Sequence, residues 1–294
     1  MSTFRCGSVA LAGRPNTGKS SLLNRLVGQK LAIVSPKAQT TRHRLTGILT
    51  TGECQYLFVD LPGYQTRHAS ALNRALNRAA SEGARDADVT LFVVEALRFG
   101  AADRAVLARI PQAQRVIAVV NKIDLAKQQP DLLPFIVQLQ QERDFAAIVP
   151  VSARTGRNLP ELLHVVRDCL PEAPAAYPAD QLTDRDERFF AAERLREKLF
   201  RLLGQELPYR CEVVIDSFKE EPRLRRIEAT IWVERDSQKA IVIGAAGANL
   251  KRISSAARRD LEALFGGPVY LGVWVKVKQD WTRDARRLRQ LGYA

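Results

Sequence analysis

Short apolar runs, each followed by a polar or glycine-containing stretch, recur along the chain up to about residue 170. Runs of this kind are typical of strands that are buried on both faces of a parallel sheet. They cover residues 9–12, 55–59, 88–94, 115–120 and 147–151. Between them, apolar residues at helical spacing predict helices, one starting near Ser21, one around 102–110 and one ending near Leu170. The alternation predicts an α/β domain with a mostly parallel sheet and helices on both faces.

The pattern changes beyond residue 170. Three prolines between residues 171 and 178 disfavour a helix or a central strand, so this stretch predicts a linker. A helix with Leu195, Leu199, Leu202 and Leu203 on one face follows, and then three strands with alternating apolar residues, over 213–215, 227–233 and 269–277. We predict a first domain over residues 1–172, a linker over 173–185 and a smaller α+β domain over 186–294.

Composition narrows the class of protein. A chain of 294 residues is long enough for two cores. Its net charge of +13 favours a polyanionic partner such as nucleic acid or an acidic membrane surface, although charge kept for solubility would give the same value. No stretch approaches the ~20 apolar residues of a membrane span. The four cysteines are far apart, so we expect reduced thiols in the cytoplasm rather than disulfides.

The first predicted strand leads through a glycine-bounded loop into a helix, and the loop carries the pattern G-x-x-x-x-G-K-S. Its residues are Gly13, Arg14, Pro15, Asn16, Thr17, Gly18, Lys19 and Ser20, followed by Ser21. When such a loop joins a strand to a helix, its backbone N–H groups point at a bound phosphate chain. The N-terminus of the helix adds partial positive charge. Lys19 is then expected to reach the outer phosphates and the Ser20 hydroxyl to bind Mg²⁺. The alternative is a glycine turn that only caps a helix.

Two later segments supply candidates for the remaining contacts to Mg²⁺ and the terminal phosphate. Thr40 or Thr41, in a polar segment broken by Pro36, could donate a hydroxyl to the metal, and we prefer Thr41. A D-x-x-G stretch follows the strand over 55–59. It consists of Asp60, Leu61, Pro62 and Gly63, followed by Tyr64. The Asp60 carboxylate can hold Mg²⁺ through water, and Gly63 can donate its N–H to the terminal phosphate.

The residues at the ends of the last two predicted strands of the first domain identify the base of the bound nucleotide. The first carries Asn121, Lys122, Ile123 and Asp124, and the second carries Ser152, Ala153 and Arg154. The Asp124 carboxylate can accept hydrogen bonds from the N1–H and the exocyclic amine of guanine, which adenine does not offer. Asn121 would tie this loop to the phosphate loop, the Lys122 stem would lie along the base, and the Ala153 N–H would meet the guanine oxygen. The sequence therefore predicts a guanine nucleotide site at the carboxyl edge of the sheet.

The order of these five motifs resembles that of the translation-factor-related GTPases. Tyr64 stands where Ras-like enzymes carry a water-orienting Gln, so water positioning must come from elsewhere, and intrinsic turnover is expected to be slow. Asn16 resembles the Asn of potassium-activated members, in which K⁺ bridges the phosphates. Its alternative role is that of an amide that stabilises the loop. The resemblance implies that Lys19, Thr41, Gly63 and Asn16 carry catalysis, with GTP and GDP, Mg²⁺ and K⁺ as candidate ligands.

The second domain contains an apolar segment, a G-x-x-G loop and a basic amphipathic helix, which together resemble a KH domain of type II. The candidate RNA contacts are Ile243, Gly244, Ala245, Ala246, Gly247, Leu250, Lys251, Arg252 and Arg258. The two glycines let a nucleic-acid backbone approach, and the next helix offers N–H groups to phosphate. Ile241, Ile243, Leu250 and Ile253 could floor a groove for about four unpaired nucleotides. KH loops of this kind usually hold a basic residue between the glycines, whereas this loop has Ala245 and Ala246.

Aromatic residues and lysines alternate with the apolar face of the predicted strands. They are Trp232, Tyr270, Trp274, Lys276 and Lys278. These residues could contact RNA or the first domain, but cross-strand packing is the preferred interpretation.

A GTPase domain followed by a KH domain resembles the Era family of bacterial ribosome-assembly GTPases. The shared stretches include Gly13 to Asn16, Lys37 to Arg44 and Val273 to Lys278, while Leu61 stands where the family usually has Thr. The resemblance implies a cytoplasmic, monomeric factor that binds the 3′ end of 16S ribosomal RNA and assists late maturation of the small subunit. It also implies loose association with the inner membrane. Two other classes stay open: a membrane-acting GTPase, and an RNA-binding protein with a structural nucleotide site.

Overall fold

The computed structural model describes residues 3–35, 40–63, 70–126, 131–204 and 207–293. These divide into two compact units. The first comprises Met1–Ala32, Thr41–Ala69 and Asn73–Asp184, and the second comprises Ile33–Thr40, Ser70–Leu72 and Arg185–Ala294.

The first unit is built around a six-stranded sheet with the strand order β2-β3-β1-β4-β5-β6. Its strands are β1 (Arg5–Ala12), β2 (Leu45–Thr50), β3 (Cys54–Asp60), β4 (Val89–Glu95), β5 (Val116–Asn121) and β6 (Ala147–Pro150). All neighbours are parallel except β2 and β3, which pair antiparallel. Every residue of β4 and β5 is buried, in keeping with their continuous apolar runs. The predicted α/β fold class is confirmed.

Helices pack on both faces of this sheet. They are α1 (Lys19–Val27), α2 (Ala71–Arg85), α3 (Ala101–Leu107), α4 (Leu132–Gln140) and α5 (Leu159–Cys169). On one face, Phe92 and Val120 pack with α3 and α4 through Val106 and Phe135. On the other face, Gly47 leaves room for Leu23 and Val27 of α1. The sequence did not predict β2, α2 or α4. In β2, Gly47 and two threonines interrupt the apolar signal at an edge position, where only part of a strand needs to be buried.

In the described part of the second unit, three strands pack against three helices, and a fourth, shorter helix lies near the C-terminus. The strands β7 (Glu212–Glu221), β8 (Leu224–Val233) and β9 (Val269–Val277) form a sheet in that order, with β7–β8 antiparallel and β8–β9 parallel. The helices are α6 (Glu187–Leu202), α7 (Asp236–Ile243) and α8 (Ala248–Phe265). The Asp186 carboxylate caps α6 by accepting the Phe189 N–H at 2.8 Å. The core of this unit contains Ile231 and Leu195, as the periodicity predicts. It also contains Ile253.

The chain between α5 and α6 has no helix, as its prolines predict, but it is anchored to the first unit. The buried Gln55 side chain accepts N–H groups of Ala176 and Tyr177 at 2.8 and 2.9 Å and donates to the Tyr177 carbonyl at 2.8 Å. Asp184 accepts both the N–H and the hydroxyl of Thr46. The first unit therefore extends to Asp184, and residues 173–184 of the predicted linker belong to it.

A short C-terminal helix, α9 (Ala285–Gln290), completes the second unit. Near it, the Trp281 indole donates to the Arg210 carbonyl at 3.1 Å, and the Tyr293 hydroxyl donates to the buried Glu212 at 2.5 Å. Cys6, Cys54 and Cys211 are buried thiols outside any disulfide, and Cys169 is a half-buried one. In the part of the chain that the structure describes, none of the helices has the length and apolar character of a membrane span.

Candidate guanine nucleotide site and RNA interface

The loop between β1 and α1 requires glycine at both of its ends. A Cβ on Gly13 would lie 2.4 Å from the Val93 carbonyl oxygen, and one on Gly18 would lie 2.3 Å from Nδ2 of Asn121. Gly18 also has φ +99, a left-handed conformation that favours glycine. The loop therefore folds tightly against β4 and the loop after β5, with the N-terminus of α1 at its centre.

Lys19 lies inside this loop. Its ammonium group donates to the carbonyls of Gly13 at 2.8 Å and Arg14 at 2.9 Å. Burial lowers the pKa of Lys19 to about 8; the Asp60 carboxylate opposes this shift and Arg14 adds to it. A phosphate chain in the loop would favour the charged ammonium, because it would supply the negative charge that the surroundings lack.

Three oxygen-bearing side chains from separate segments meet beside Lys19. The Ser20 hydroxyl donates to Asp60 at 2.7 Å, the Thr41 hydroxyl donates to the same oxygen at 3.0 Å, and the two hydroxyls are 3.0 Å apart. Asp60 is fully buried. Hard oxygen ligands on one side of a phosphate loop suit Mg²⁺, so the predicted metal residues come together and fit that ion. Thr41, the preferred candidate of the two threonines, makes these contacts.

The loop after β5 is bonded to the phosphate loop, as predicted. The buried Asn121 amide donates to the Thr17 carbonyl at 2.9 Å. Asp124 is held by the Ser152 hydroxyl at 2.6 Å, and Arg154 lies 3.8 Å from its other oxygen. The Ala153 N–H donates to Oδ1 of Asn121 at 3.0 Å, and its predicted contact with the guanine oxygen stays a prediction. Its role here is to fix the Asn121 amide.

Sequence reasoning missed Glu95, at the end of β4. Its carboxylate accepts from the Lys122 ammonium at 2.8 Å and lies 3.6 Å from Arg14, which also bonds Asp103 at 3.0 Å. Burial alone would raise the pKa of Glu95, but the Lys122 hydrogen bond and nearby positive charges together lower it. Glu95 thereby joins the phosphate loop to the base loop. The sequence did contain a signal for it. Glu95 is a carboxylate at the end of β4, and it pairs with Asn121 of β5 in the parallel register.

The D-x-x-G stretch lies against the phosphate loop. Leu61 is buried, and Gly63 lies beside Pro15, whose ring would be 3.6 Å from an added Cβ. Tyr64 and residues 37–39 of the second shared stretch lie outside the described residues, so their predicted roles stay predictions. Asn16 has φ 65, which places this residue in a left-handed turn of the phosphate loop.

The G-x-x-G turn of the second unit joins α7 to α8. The Gly244 N–H donates to the Ala240 carbonyl at 2.8 Å, and the Asn249 amide closes the turn by donating to Ile241 at 2.9 Å. Gly247 starts α8, and an added Cβ there would meet nothing within 4 Å. The turn therefore presents an open backbone surface and the first N–H groups of a helix, which is an arrangement that accepts phosphate.

The predicted RNA contacts divide into three groups. Ile241 is exposed beside the turn, and Lys251 is exposed on α8. Arg252 donates to the Leu202 carbonyl at 3.1 Å, while Arg258, roughly 9 Å further along the helix, pairs with Glu262. Ile253 is fully buried in the core, so it is not part of a groove floor as predicted. Ile243 and Leu250 are half-buried against the same core.

Both units of the chain match known protein families. The model of a family described as 50S ribosome-binding GTPase matches residues 8–122, and that of the KH domain matches residues 206–282. GTPase Era of Nitrosomonas eutropha is 52% identical over 292 residues, covering 99% of each chain. The chain belongs to the Era family. A second relative, GTPase Era of Neisseria meningitidis serogroup A, is 51% identical and covers 98% of this chain and 95% of its own.

Two solved structures of Era have the same fold as this chain. A variant of Aquifex aeolicus Era bound to GDP and AlF4⁻ superposes with a TM-score of 0.95 and 38% identity over 99% of this chain and 100% of that one. Era in complex with MgGDPNP and nucleotides 1506–1542 of 16S ribosomal RNA gives a TM-score of 0.94, again with 38% identity and 99% coverage of both chains. This member of the Era family is a GTPase, and its predicted cofactors, GTP or GDP with Mg²⁺, agree with the GDP and MgGDPNP bound by its solved relatives.

Proposed function

We propose that this chain is a GTP-controlled factor that binds 16S ribosomal RNA near its 3′ end through the G-x-x-G turn and assists late maturation of the small ribosomal subunit. The observation that carries the proposal is that all five nucleotide motifs meet at one edge of a sheet in a chain that also has an open KH turn. Relatives with the same two units support the RNA partner, because one of them was solved with that RNA.

Within the nucleotide site, each group has a distinct role. Lys19 and the N-terminus of α1 hold the β- and γ-phosphates, and Asp124 recognises the guanine. Ser20, Thr41 and Asp60 hold Mg²⁺, which neutralises charge on the phosphates when bound. Gly63 donates its N–H to the terminal phosphate, and Asn121 keeps the base loop fixed to the phosphate loop.

Calorimetry tests the nucleotide half of the proposal. We expect the chain to bind GTP and GDP but not ATP, and Asp124→Asn to weaken GTP binding by at least about 100-fold because an acceptor for the guanine N–H groups becomes a donor. Ser152→Ala is the matched control: it removes a group that orients Asp124 and should have a smaller effect. Equal affinity for ATP and GTP would overturn the assignment of the base.

Crosslinking in cells followed by RNA sequencing tests the RNA half. We expect reads at the 3′ end of 16S ribosomal RNA that are lost with Gly247→Asp, which adds a negative charge at the turn; because Gly247 has φ +80, thermal unfolding of this variant must show that the second unit stays folded. Sedimentation with ribosomal particles provides a second measurement, and association with the large subunit alone would contradict the proposal.

We also propose that K⁺ accelerates hydrolysis through Asn16. Turnover should be faster in K⁺ than in Na⁺ at equal ionic strength, and Asn16→Ala should remove the difference while leaving GDP binding measurable. If the rates of GTP hydrolysis in K⁺ and Na⁺ were equal, Asn16 would have only its alternative role of stabilising the loop.

We propose further that the chain acts as a cytoplasmic monomer with loose access to the inner membrane. The net charge of +13 supports attraction to anionic lipid as well as to RNA. Flotation with vesicles containing anionic lipid, with and without competing RNA, separates the two partners. RNA should displace the chain from the vesicles if both use the same basic surface.

A further inference from the structure

The outer face of the second sheet, opposite the face that packs on the helices, carries two exposed aromatic rings. Tyr270 and Trp274 alternate along β9 with core residues such as Val275, and their exposed fractions are 45% and 48%. The expected cross-strand packing therefore does not bury them. Trp232, on β8, is half-buried.

Gly272 allows the two rings to lie side by side over the strand. A Cβ at this position would lie 2.9 Å from Cη2 and 3.1 Å from Cζ3 of Trp274, and 3.5 Å from Cε1 of Tyr270. The six-membered ring of Trp274 thus lies over the glycine, with the edge of Tyr270 adjacent to it. We call this surface, formed by Tyr270, Gly272 and Trp274, the aromatic platform.

Three cationic side chains lie on the same face of the sheet as the platform. The Arg226 guanidinium lies 4.7 Å from the centre of the Tyr270 ring, although Arg226 also pairs with Glu221. Lys276 is exposed on the same face of β9, and the Lys278 ammonium lies 5.6 Å from the centre of the Trp232 ring. Flat rings beside cations suit unpaired nucleotides, whose bases stack and whose phosphates pair with Arg and Lys.

Two carboxylates also face this side of the sheet. Asp216 accepts the Thr230 hydroxyl at 2.6 Å, and Glu228 lies opposite Gly272 in the parallel register. A carboxylate at the Glu228 position repels phosphate but can accept the exocyclic amine of cytosine. The phosphates are therefore expected to run past Arg226 and Lys276 while the bases cover the rings.

The platform is continuous with the proposed RNA groove through β9. This edge strand packs against α7 and α8, which carry the G-x-x-G turn, and it carries the two rings on its other face. We propose that Tyr270 and Trp274 are a second RNA-binding surface that stacks unpaired bases flanking those held at the turn. The inference rests on the proposed RNA binding and extends it to a face outside the groove.

Binding of labelled RNA by the full chain, with MgGDPNP and at one fixed salt concentration, tests the inference. The probe is the segment 1506–1542 of 16S ribosomal RNA found with a relative. Trp274→Ala should weaken binding about 5- to 150-fold, the effect of losing one base stack, and Trp274→Phe should restore most of it. Leu133→Ala, at a site 70% exposed in the first unit, is the matched control and should leave the affinity unchanged.

The outcomes separate this inference from the proposed function. Parent-like RNA binding by Trp274→Ala and Tyr270→Ala, together with loss of binding in Gly247→Asp, overturns the platform and leaves the groove intact. Absence of RNA binding by the parent chain overturns both. Unchanged RNA affinity with an altered sedimentation mass in Trp274→Ala would make this face a contact between copies and would also overturn the inference. Thermal unfolding of each variant shows whether the fold is retained; Gly247 has φ +80, so Gly247→Asp is expected to lose more stability than the aromatic variants.

Discussion

At the scale of single residues, Lys19 has the clearest consequence for nucleotide binding. Its ammonium group is buried among carbonyl oxygens in the phosphate loop, and its pKa is lowered to about 8. A bound polyphosphate favours the protonated form, so binding must retain or take up a proton at this residue. Nucleotide affinity therefore depends on whether Lys19 is charged before binding.

We expect the affinity for GDP to be constant below about pH 7 and to fall as the pH rises through 8, approaching tenfold per pH unit. Fluorescence titration with a labelled GDP between about pH 6.5 and 9 measures this dependence. Lys19→Met should bind more weakly and show no such fall. If the GDP affinity of the parent chain did not change with pH, Lys19 would already be protonated in the nucleotide-free loop over this pH range.

Glu95 is the second residue with a testable role, because its carboxylate contacts Lys122 and lies near Arg14 from the phosphate loop. Glu95→Gln should speed GDP release several-fold and lower the free energy of unfolding by about 1–2 kcal/mol, since a partly buried charged hydrogen bond is lost. The control is Arg98→Gln: Arg98 pairs with the same carboxylate, but its side chain is 74% exposed. Equal effects of the two substitutions would show that Glu95 acts only through surface charge.

At the scale of elements, the sequence predicted what depends on local pattern. The buried strands β1, β3, β4, β5 and β6 are short apolar runs, and the motifs at their ends meet because parallel strands end at one edge of a sheet. The edge strand β2 and the anchoring of residues 173–184 depend on partners distant in sequence, such as Gln55 and Asp184. Ile253 was assigned to the groove because helical spacing alone does not distinguish an apolar residue under a groove from one in the core.

The turn between α7 and α8 offers a gain-of-function test at this scale. Ala245 is exposed, whereas Ala246 has φ 47, a conformation that costs a non-glycine residue about 1 kcal/mol. Ala245→Lys should therefore place a positive charge beside bound phosphate without adding strain at Ala246. We expect tighter RNA binding and a salt dependence steeper by about 0.7 in log–log slope, measured by titration at several salt concentrations. Ala263→Lys, exposed near the far end of α8, adds the same charge away from the turn and should change the affinity less.

At the scale of the whole molecule, the nucleotide and RNA sites are expected to influence each other. Of the described residues, 33–35 and 40, which precede Thr41, and 70–72 belong to the second unit. There, Arg201 donates to the Val34 carbonyl at 3.0 Å, and the Leu72 N–H donates to Thr282 at 3.2 Å. A γ-phosphate that orders Thr41 would therefore also affect the residues just before Thr41, which belong to the second unit, the unit that carries the KH turn.

We expect RNA to bind more tightly with GDPNP than with GDP, and by linkage RNA should tighten GDPNP binding by the same factor. Titrating RNA into both nucleotide complexes, and GDPNP into the chain with and without RNA, measures the two ratios. Identical RNA affinities in the two nucleotide states would remove the coupling while leaving both sites in place. Arg201→Gln should reduce the ratio, and Arg289→Gln, also exposed in the second unit, serves as its control.

The distribution of thiols has a practical consequence for these measurements. Cys6, Cys54 and Cys211 are buried, and burial raises the pKa of Cys54 to about 11, which suppresses its reaction with maleimides. Cys169, at the end of α5, is the half-buried exception among the four. A fluorophore coupled to the native chain should therefore attach preferentially at that position, which supplies a reporter for stopped-flow or single-molecule recordings without engineering.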